Sequence, residues 1–228
     1  MQTILFLIIY SENDPVYMFM KKIIETYMNE MCQKYSLLYF FIQFNEDINN
    51  TDELKVTQTD NILYVNPGKE SIIPGILIKT HQTMQYVNQY FHYDILIRTN
   101  ISSFWNIPKL FELNLPNTQL FSGIYMFNQF ISGTGIILSK DVCIKLCETI
   151  HNNDYYTTEY DDVFLSNKIK TIANVQPLPE NLMYYLIHND NNVFPENLTD
   201  YLYFRVKSSN REHDKVAFVK LLQSVYDM

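Results

Sequence analysis

Four short segments set polar, chemistry-bearing side chains directly against strongly apolar ones. They are Ile97-Arg98-Thr99-Asn100-Ile101-Ser102-Ser103-Phe104-Trp105, Phe130-Ile131-Ser132-Gly133-Thr134-Gly135-Ile136-Ile137-Leu138-Ser139, Glu159-Tyr160-Asp161-Asp162-Val163-Phe164 and Phe204-Arg205-Val206-Lys207-Ser208-Ser209-Asn210-Arg211-Glu212-His213-Asp214. A carboxylate at such a junction can take a proton as a general base. Guanidinium and ammonium groups there can hold phosphate, the guanidinium at two points. Each segment also has a structural reading. Arg98 can pair internally with Asp94 or another carboxylate, and Arg205, Lys207 and Arg211 can form a solvated face. Gly133 and Gly135 can permit a strand bend, and Asp161 and Asp162 can cap the apolar segment after them. Trp105, with Phe104 and Ile107 nearby, reads as a packing anchor, and His188 and His213 read as packed or surface histidines.

No GxGxxG, P-loop, HExxH or GxSxG pattern occurs. Cys32, Cys143 and Cys147 make neither a disulfide framework nor a zinc knuckle. Cys143 and Cys147 share a helical face with Val142, Leu146 and Ile150, where they act as small hydrophobes, and a reducing compartment suits them. The five histidines show no metal-ligand spacing. Seventeen Lys+Arg against twenty-five Asp+Glu give a net charge of −8. That disfavours a nucleic-acid partner, while a local basic cluster could still grip one diphosphate. With 228 residues, 47% of them hydrophobic, the chain has material for one sizeable core. Its bias toward Ile, Asn and Tyr reflects AT-rich codons. The apolar opening, Ile4-Leu5-Phe6-Leu7-Ile8-Ile9, lacks a basic flank and a cleavage site and is too short to span a bilayer. No other run reaches transmembrane length, so the expectation is a soluble, cytoplasmic protein.

The elements that must position these residues follow from periodicity. Residues 3–10 read as a buried central strand, and Asp14-Pro15 opens a helix carrying Val16, Phe19, Met20, Ile23, Ile24, Tyr27 and Met31. Residues 37–42 form a second strand, 45–60 a polar surface loop and 61–65 a third strand. Thr80 is placed to cap a helix with Met84, Val87 and Phe91, and 93–97 is a strand emerging from it. This order predicts an α/β domain with a mostly parallel sheet and ligands outside the carboxyl ends of its strands. Tyr10, Ser11 and Glu12 would then line a nucleotide pocket. Beyond residue 97 the pattern predicts strands at 121–125 and 130–138, a helix at 140–151, a loop at 152–162 and an apolar segment at 163–172. Residues 173–210 read as irregular and strand-like, and a closing helix carries Val216, Val219, Leu222 and Val225.

The order of the four segments resembles inverting glycosyltransferases of the GT-A fold, in particular the β1,3-galactosyl/N-acetylglucosaminyl transferase family and the glycosyltransferases of large DNA viruses. In the former, a strand running into Leu-Lys-Thr-Asp-Asp-Asp precedes a strand with Gly-x-Gly-Tyr-x-x-Ser and then Glu-Asp-Val. The matching positions here are Leu96-Ile97-Arg98-Thr99-Asn100-Ile101-Ser102, Gly133-Thr134-Gly135-Ile136-Ile137-Leu138-Ser139 and Asp161-Asp162-Val163. The resemblance spans roughly residues 1–170 and implies one GT-A-like domain, with residues 1–105 as a nucleotide-binding half and 106–228 as an acceptor-binding half. It implies a hexosyltransferase taking a nucleotide-sugar, a UDP-sugar first, to a glycan or protein-glycan acceptor. Asp162 would be the base and Asp161 would orient it or the acceptor. Arg98, Asn100, Ser102, Arg205, Lys207 and Arg211 would hold the donor, and Gly133, Thr134 and Trp105 would sit at the acceptor. The family's Asp-x-Asp holds manganese or magnesium through hard oxygen ligands. Here Asn100 and Ser102 replace both carboxylates, which leaves Asn100, Ser102 and His188 as candidate ligands, or cationic side chains in place of the metal. A non-catalytic protein that keeps the fold and binds the nucleotide-sugar is one alternative; an unrelated α/β nucleotide-binding protein, which the first hundred residues alone would allow, is another.

Overall fold

A run of six apolar residues with no polar interruption can be satisfied only where both faces are covered, and Ile4–Ile9 is such a strand, buried at every position. The computed structural model describes residues 2–45, 54–178 and 194–228, with the backbone of 185–187. In chain order its elements are β1 (Ile4–Ile9), α1 (Pro15–Lys34), β2 (Leu37–Phe44), β3 (Lys55–Thr59), β4 (Ile62–Asn66), α2 (Gly75–Tyr90), β5 (Ile95–Asn100), β6 (Ser103–Trp105) and α3 (Ile107–Glu112). There follow β7 (Phe121–Gly123), β8 (Tyr125–Met126), β9 (Phe130–Ile131), β10 (Gly135–Ser139), α4 (Lys140–Thr149), α5 (Asp161–Ile169), β11 (Val175–Pro177), β12 (Tyr185–Ile187), β13 (Tyr203–Val206) and α6 (Arg211–Tyr226).

Eight strands form one sheet in the order β11-β7-β10-β5-β1-β2-β4-β3. β1 lies between β5 and β2, parallel to both, with Ile9 level with Asn100 and Ile42. β10 joins antiparallel to β5, so the two halves of the chain share a continuous sheet. A smaller sheet, β12-β13-β6, runs Arg205 antiparallel against Ser103. The pleat of β1 divides the core. Ile4, Phe6 and Ile8 pack toward α1, β13 and α6, while Leu5, Leu7 and Ile9 pack toward α2, α4 and α5.

Local chemistry explains the main boundaries. Asp14 accepts from Val16 N at 2.8 Å and Pro15 takes the first helical position, so α1 starts where the sequence predicts. Cys143 and Cys147 are buried free thiols on α4. Several expectations need correction. Residues 55–59 form β3 and not a loop; the strand pairs only with β4 and is largely exposed, so it carries no apolar alternation. The helix expected after Thr80 begins at Gly75, with Pro74 at its N-cap and Thr80 wholly buried inside it. The stretches 121–125 and 130–138 break into four short strands. The apolar segment after residue 162 belongs to α5, whose first turn already includes Asp161 and Asp162. On α6 the packed face is Ala217, Phe218, Leu221 and Leu222, and Val216 is 61% exposed.

Trp105 closes the junction of the two sheets. It meets Phe6 edge-on at 5.3 Å, stacks on Tyr203 at 4.3 Å and donates from Nε1 to Thr99 Oγ1 at 2.9 Å. A Cβ on Gly135 would lie 2.8 Å from its ring, so the second glycine of the Gly-Thr-Gly segment serves close packing. Trp105→Ala is expected to destabilise the protein by about 3–5 kcal/mol, read as a lower urea midpoint with an unchanged slope.

Candidate active site

An open cleft of about 720 Å³ lies beyond the carboxyl ends of β1 and β5. Its walls include Tyr10 and Ser11 after β1, Asn100 and Ser102 around the β5–β6 turn, Gly133 ahead of β10, and Asp161 and Asp162 on α5. Arg205 and Lys207 approach from β13 and its end, and Lys79 and Glu70 from α2 and the segment before it. A second polar hollow of about 330 Å³, lined by Glu12, Gln43 and Tyr64, shares Ser11 and Glu70 with it. Both volumes are of ligand size.

The period-2 pleat puts Arg98 and Asn100 on the same face of β5 as Leu96, the face covered by α2, α4 and α5. Arg98 is 1% exposed. Its Nη2 donates to Asp161 Oδ2, and its Nη1 to the Gly133 carbonyl and, at 3.2 Å, to Asn100 Oδ1. The internal pairing foreseen for Arg98 is thus realised with Asp161; Asp94 instead accepts from Thr3 N at 2.7 Å. Burial pushes the Asp161 carboxyl above its ordinary pKa, and the Arg98 guanidinium pulls against that rise. Asp162 is half-buried. Its Oδ2 accepts from Gly133 N at 3.0 Å and its Oδ1 from Val163 N at 2.9 Å. The first turn of α5 suits both carboxylates, since a helix N-terminus favours negative charge. A Cβ on Gly133 would come within 2.5 Å of Arg98 Nη1 and 3.3 Å of Asp162, so only glycine lets these two groups close around the turn.

Four expected site residues lie outside the cleft lining. Trp105 is 1% exposed in the core, because its ring is the packing partner of Phe6 and Tyr203. Thr134 is buried under the Gly133 turn; its carbonyl accepts from Thr99 Oγ1 at 2.6 Å and its hydroxyl meets Tyr203 Oη at 3.2 Å. Arg211 is ion-paired with buried Asp214 and lies over the Tyr17 ring at 5.2 Å, behind the cleft wall that Tyr17 contributes to. Glu12 lines the smaller hollow only. His188 lies outside the described residues.

Lys79 joins the site without having stood out in the sequence. Its Nζ, on a side chain 1% exposed, donates to the Tyr10 carbonyl at 2.9 Å and to Glu70 Oε2 at 2.6 Å. Glu70 Oε1 accepts in turn from Phe44 N at 3.0 Å. One ion pair therefore ties together the ends of β1 and β2 at the cleft floor. Burial lowers the Lys79 pKa, and Glu70 draws it back up. The available signal is a lysine spaced with the apolar positions of α2, hidden when the helix is taken to start at Thr80 and not at Gly75.

The GT-A resemblance implies a divalent ion at the Asn100-Ile101-Ser102 turn, and the side chains there do not fit one. Asn100 Oδ1 accepts from Arg98, Ser102 Oγ accepts from Arg205, and neither brings a negative charge. Among the described residues, no three His, Cys, Asp or Glu side chains gather to hold a metal.

The strand order and the cleft are those of a mixed α/β GT-A fold, which one solved structure shares over nearly its whole length. A glycosyltransferase involved in the glycosylation of the major capsid of PBCV-1 superposes with a TM-score of 0.60 over 96% of this chain and 99% of its own, at 9% identity. An active-site mutant of LgtC aligns over 96% and 95%, at 9% identity and a TM-score of 0.47. No protein-family profile and no curated protein sequence matches the chain. Among the described residues no helix is long and apolar enough to cross a membrane.

Removing the Arg98 guanidinium leaves Asp161 buried and uncompensated, so Arg98→Met is expected to cost about 3–5 kcal/mol of stability. The double variant Arg98→Met/Asp161→Leu should be milder than Arg98→Met alone, a comparison that urea denaturation can make.

Proposed function

We propose that the protein transfers a sugar from a nucleoside-diphosphate donor, a UDP-sugar first, to a hydroxyl on a glycan or protein-glycan acceptor, with inversion at the anomeric carbon. The observation that carries this reading is the division of labour between two adjacent carboxylates at the cleft. Asp161 is turned inward onto Arg98, whereas Asp162 receives only backbone N–H groups in the bonds described and lines the opening. Asp162 is therefore the better placed to accept a proton from an incoming hydroxyl. As that oxygen bonds to the anomeric carbon, the bond from the carbon to the diphosphate oxygen breaks. Its electron pair leaves with the nucleoside diphosphate, and the proton stays on Asp162. Asp161, fixed by Arg98, positions the helix turn that carries the base. Tyr160, 60% exposed on the same wall, offers a ring on which an acceptor sugar could stack.

The PBCV-1 protein that shares this fold acts in glycosylation of a capsid, and an AT-rich composition suits a large DNA virus; both support a role in viral glycan synthesis. The uncharged Asn100-Ile101-Ser102 turn favours a second reading, a nucleotide-sugar-binding protein without turnover.

Asp162→Asn separates the two. It should bind a UDP-sugar as the wild type does while losing transfer by about 10²–10⁴-fold, measured by isothermal calorimetry and product formation over a panel of acceptors. Retention of transfer in Asp162→Asn together with its loss in Asp161→Asn would move the base by one residue. A wild type that binds donors and never turns over would establish the binding protein.

A further inference from the structure

The misfit between the Asn100-Ile101-Ser102 turn and a divalent ion has a counterpart on the facing strand. Arg205 of β13 stands opposite Ser103 of β6, and the pairing continues with Val206 N donating to the Ser102 carbonyl at 2.9 Å. That register brings the Arg205 guanidinium onto Ser102 Oγ, where it donates a hydrogen bond to the oxygen a metal would otherwise need. Two residues on, Lys207 lines the same cleft; it is exposed, and no ion pair or hydrogen bond engages its amino group among the described residues. Together they place a guanidinium and an ammonium on the cleft whose Asn-Ile-Ser turn lacks carboxylates. They do so in a chain of net charge −8, where two such cations at one cleft are not the average surface.

We infer that Arg205 and Lys207 neutralise the donor's diphosphate in place of a metal ion, so that nucleotide binding is independent of divalent cations. This rests on the glycosyltransferase reading above and specifies its donor site. The two groups divide the task by their chemistry. The guanidinium, oriented by Ser102, brings a fixed positive charge to the phosphate oxygens, and the flexible ammonium follows the charge that builds up on the leaving phosphate. Arg98 does not take part directly, since it is buried and its Nη groups are committed to Asp161, Gly133 and Asn100.

The test is calorimetric titration of UDP, GDP and ADP into the whole chain, in EDTA and again in manganese or magnesium chloride. At least one nucleotide should bind with the same affinity in all three buffers. Lys207→Ala, which removes an exposed group and should leave the melting temperature unchanged, should weaken that binding by about ten- to a hundredfold. Arg205→Ala should do likewise, with Arg205→Lys recovering part of the loss. Installing carboxylates through Asn100→Asp and Ser102→Asp in the Lys207→Ala background should make binding respond to manganese. Wild-type binding that requires the ion would overturn the inference while leaving the glycosyltransferase reading in place. Ion-independent binding that neither Lys207→Ala nor Arg205→Ala weakens would overturn the assignment to these residues. If no nucleotide binds in any buffer, the glycosyltransferase reading fails and takes this inference with it.

Discussion

A guanidinium buried in the middle of a sheet destabilises the fold unless its charged N–H groups find partners. The two Nη groups of Arg98 find them on three separate pieces of chain: the Asn100 side chain at the end of its own strand, the Gly133 carbonyl ahead of β10, and the Asp161 carboxylate at the start of α5. All three pieces line the cleft. The glycine at 133 follows from the same requirement, because a side chain there would stand where the guanidinium reaches the backbone. Asp162 then accepts from the amide of that same glycine, so the geometry of the proposed base depends on a charge it never touches.

Around this centre a second polar device fixes the other side of the cleft. Lys79 and Glu70 join the carbonyl after β1 to the amide ending β2, in surroundings that include the rings of Phe44 and the apolar face of α2. Both devices reach backbone groups at strand ends, where the sheet's own hydrogen bonding runs out and those groups need other partners. The cleft therefore arises where the ladder stops and buried ionic groups take over, which is also where the physical chemistry favours binding charged ligands.

Much of this architecture was legible in the residues. The double-sided burial of β1, the capping of α1 by Asp14 and the α4 cysteines follow from local pattern and local chemistry, which the folded state does not override. The four segments that could bear chemistry do converge, since each contributes at least one residue to the cleft wall. What local pattern could not supply was partnership. Nothing in the neighbourhood of Arg98 says that its carboxylate lies sixty-three positions later. Arg205, Lys207 and Arg211 look equivalent by spacing, yet Asp214 claims Arg211 one helical turn away. Trp105 and Thr134 belong to the right segments but to the buried side of them. Lys79 stays hidden because a helix start at Thr80 takes it out of the face where a buried lysine would stand out.

The two rims of the cleft are far apart in the chain. Asn100 and Ser102 belong to its first half, whereas Arg205 comes from a strand held in place by β6 and by α6, whose helix also packs against α1. During synthesis the ribosome releases the β1–β5 portion of the sheet about a hundred residues before the basic strand exists. A nascent chain would thus carry the floor, and later Asp161 and Asp162, while still lacking the cations of the facing strand. Only the arrival of β13 brings both charges of the opposite rim into register, so the cleft's electrostatic balance is set by that later strand and not by the sheet that precedes it.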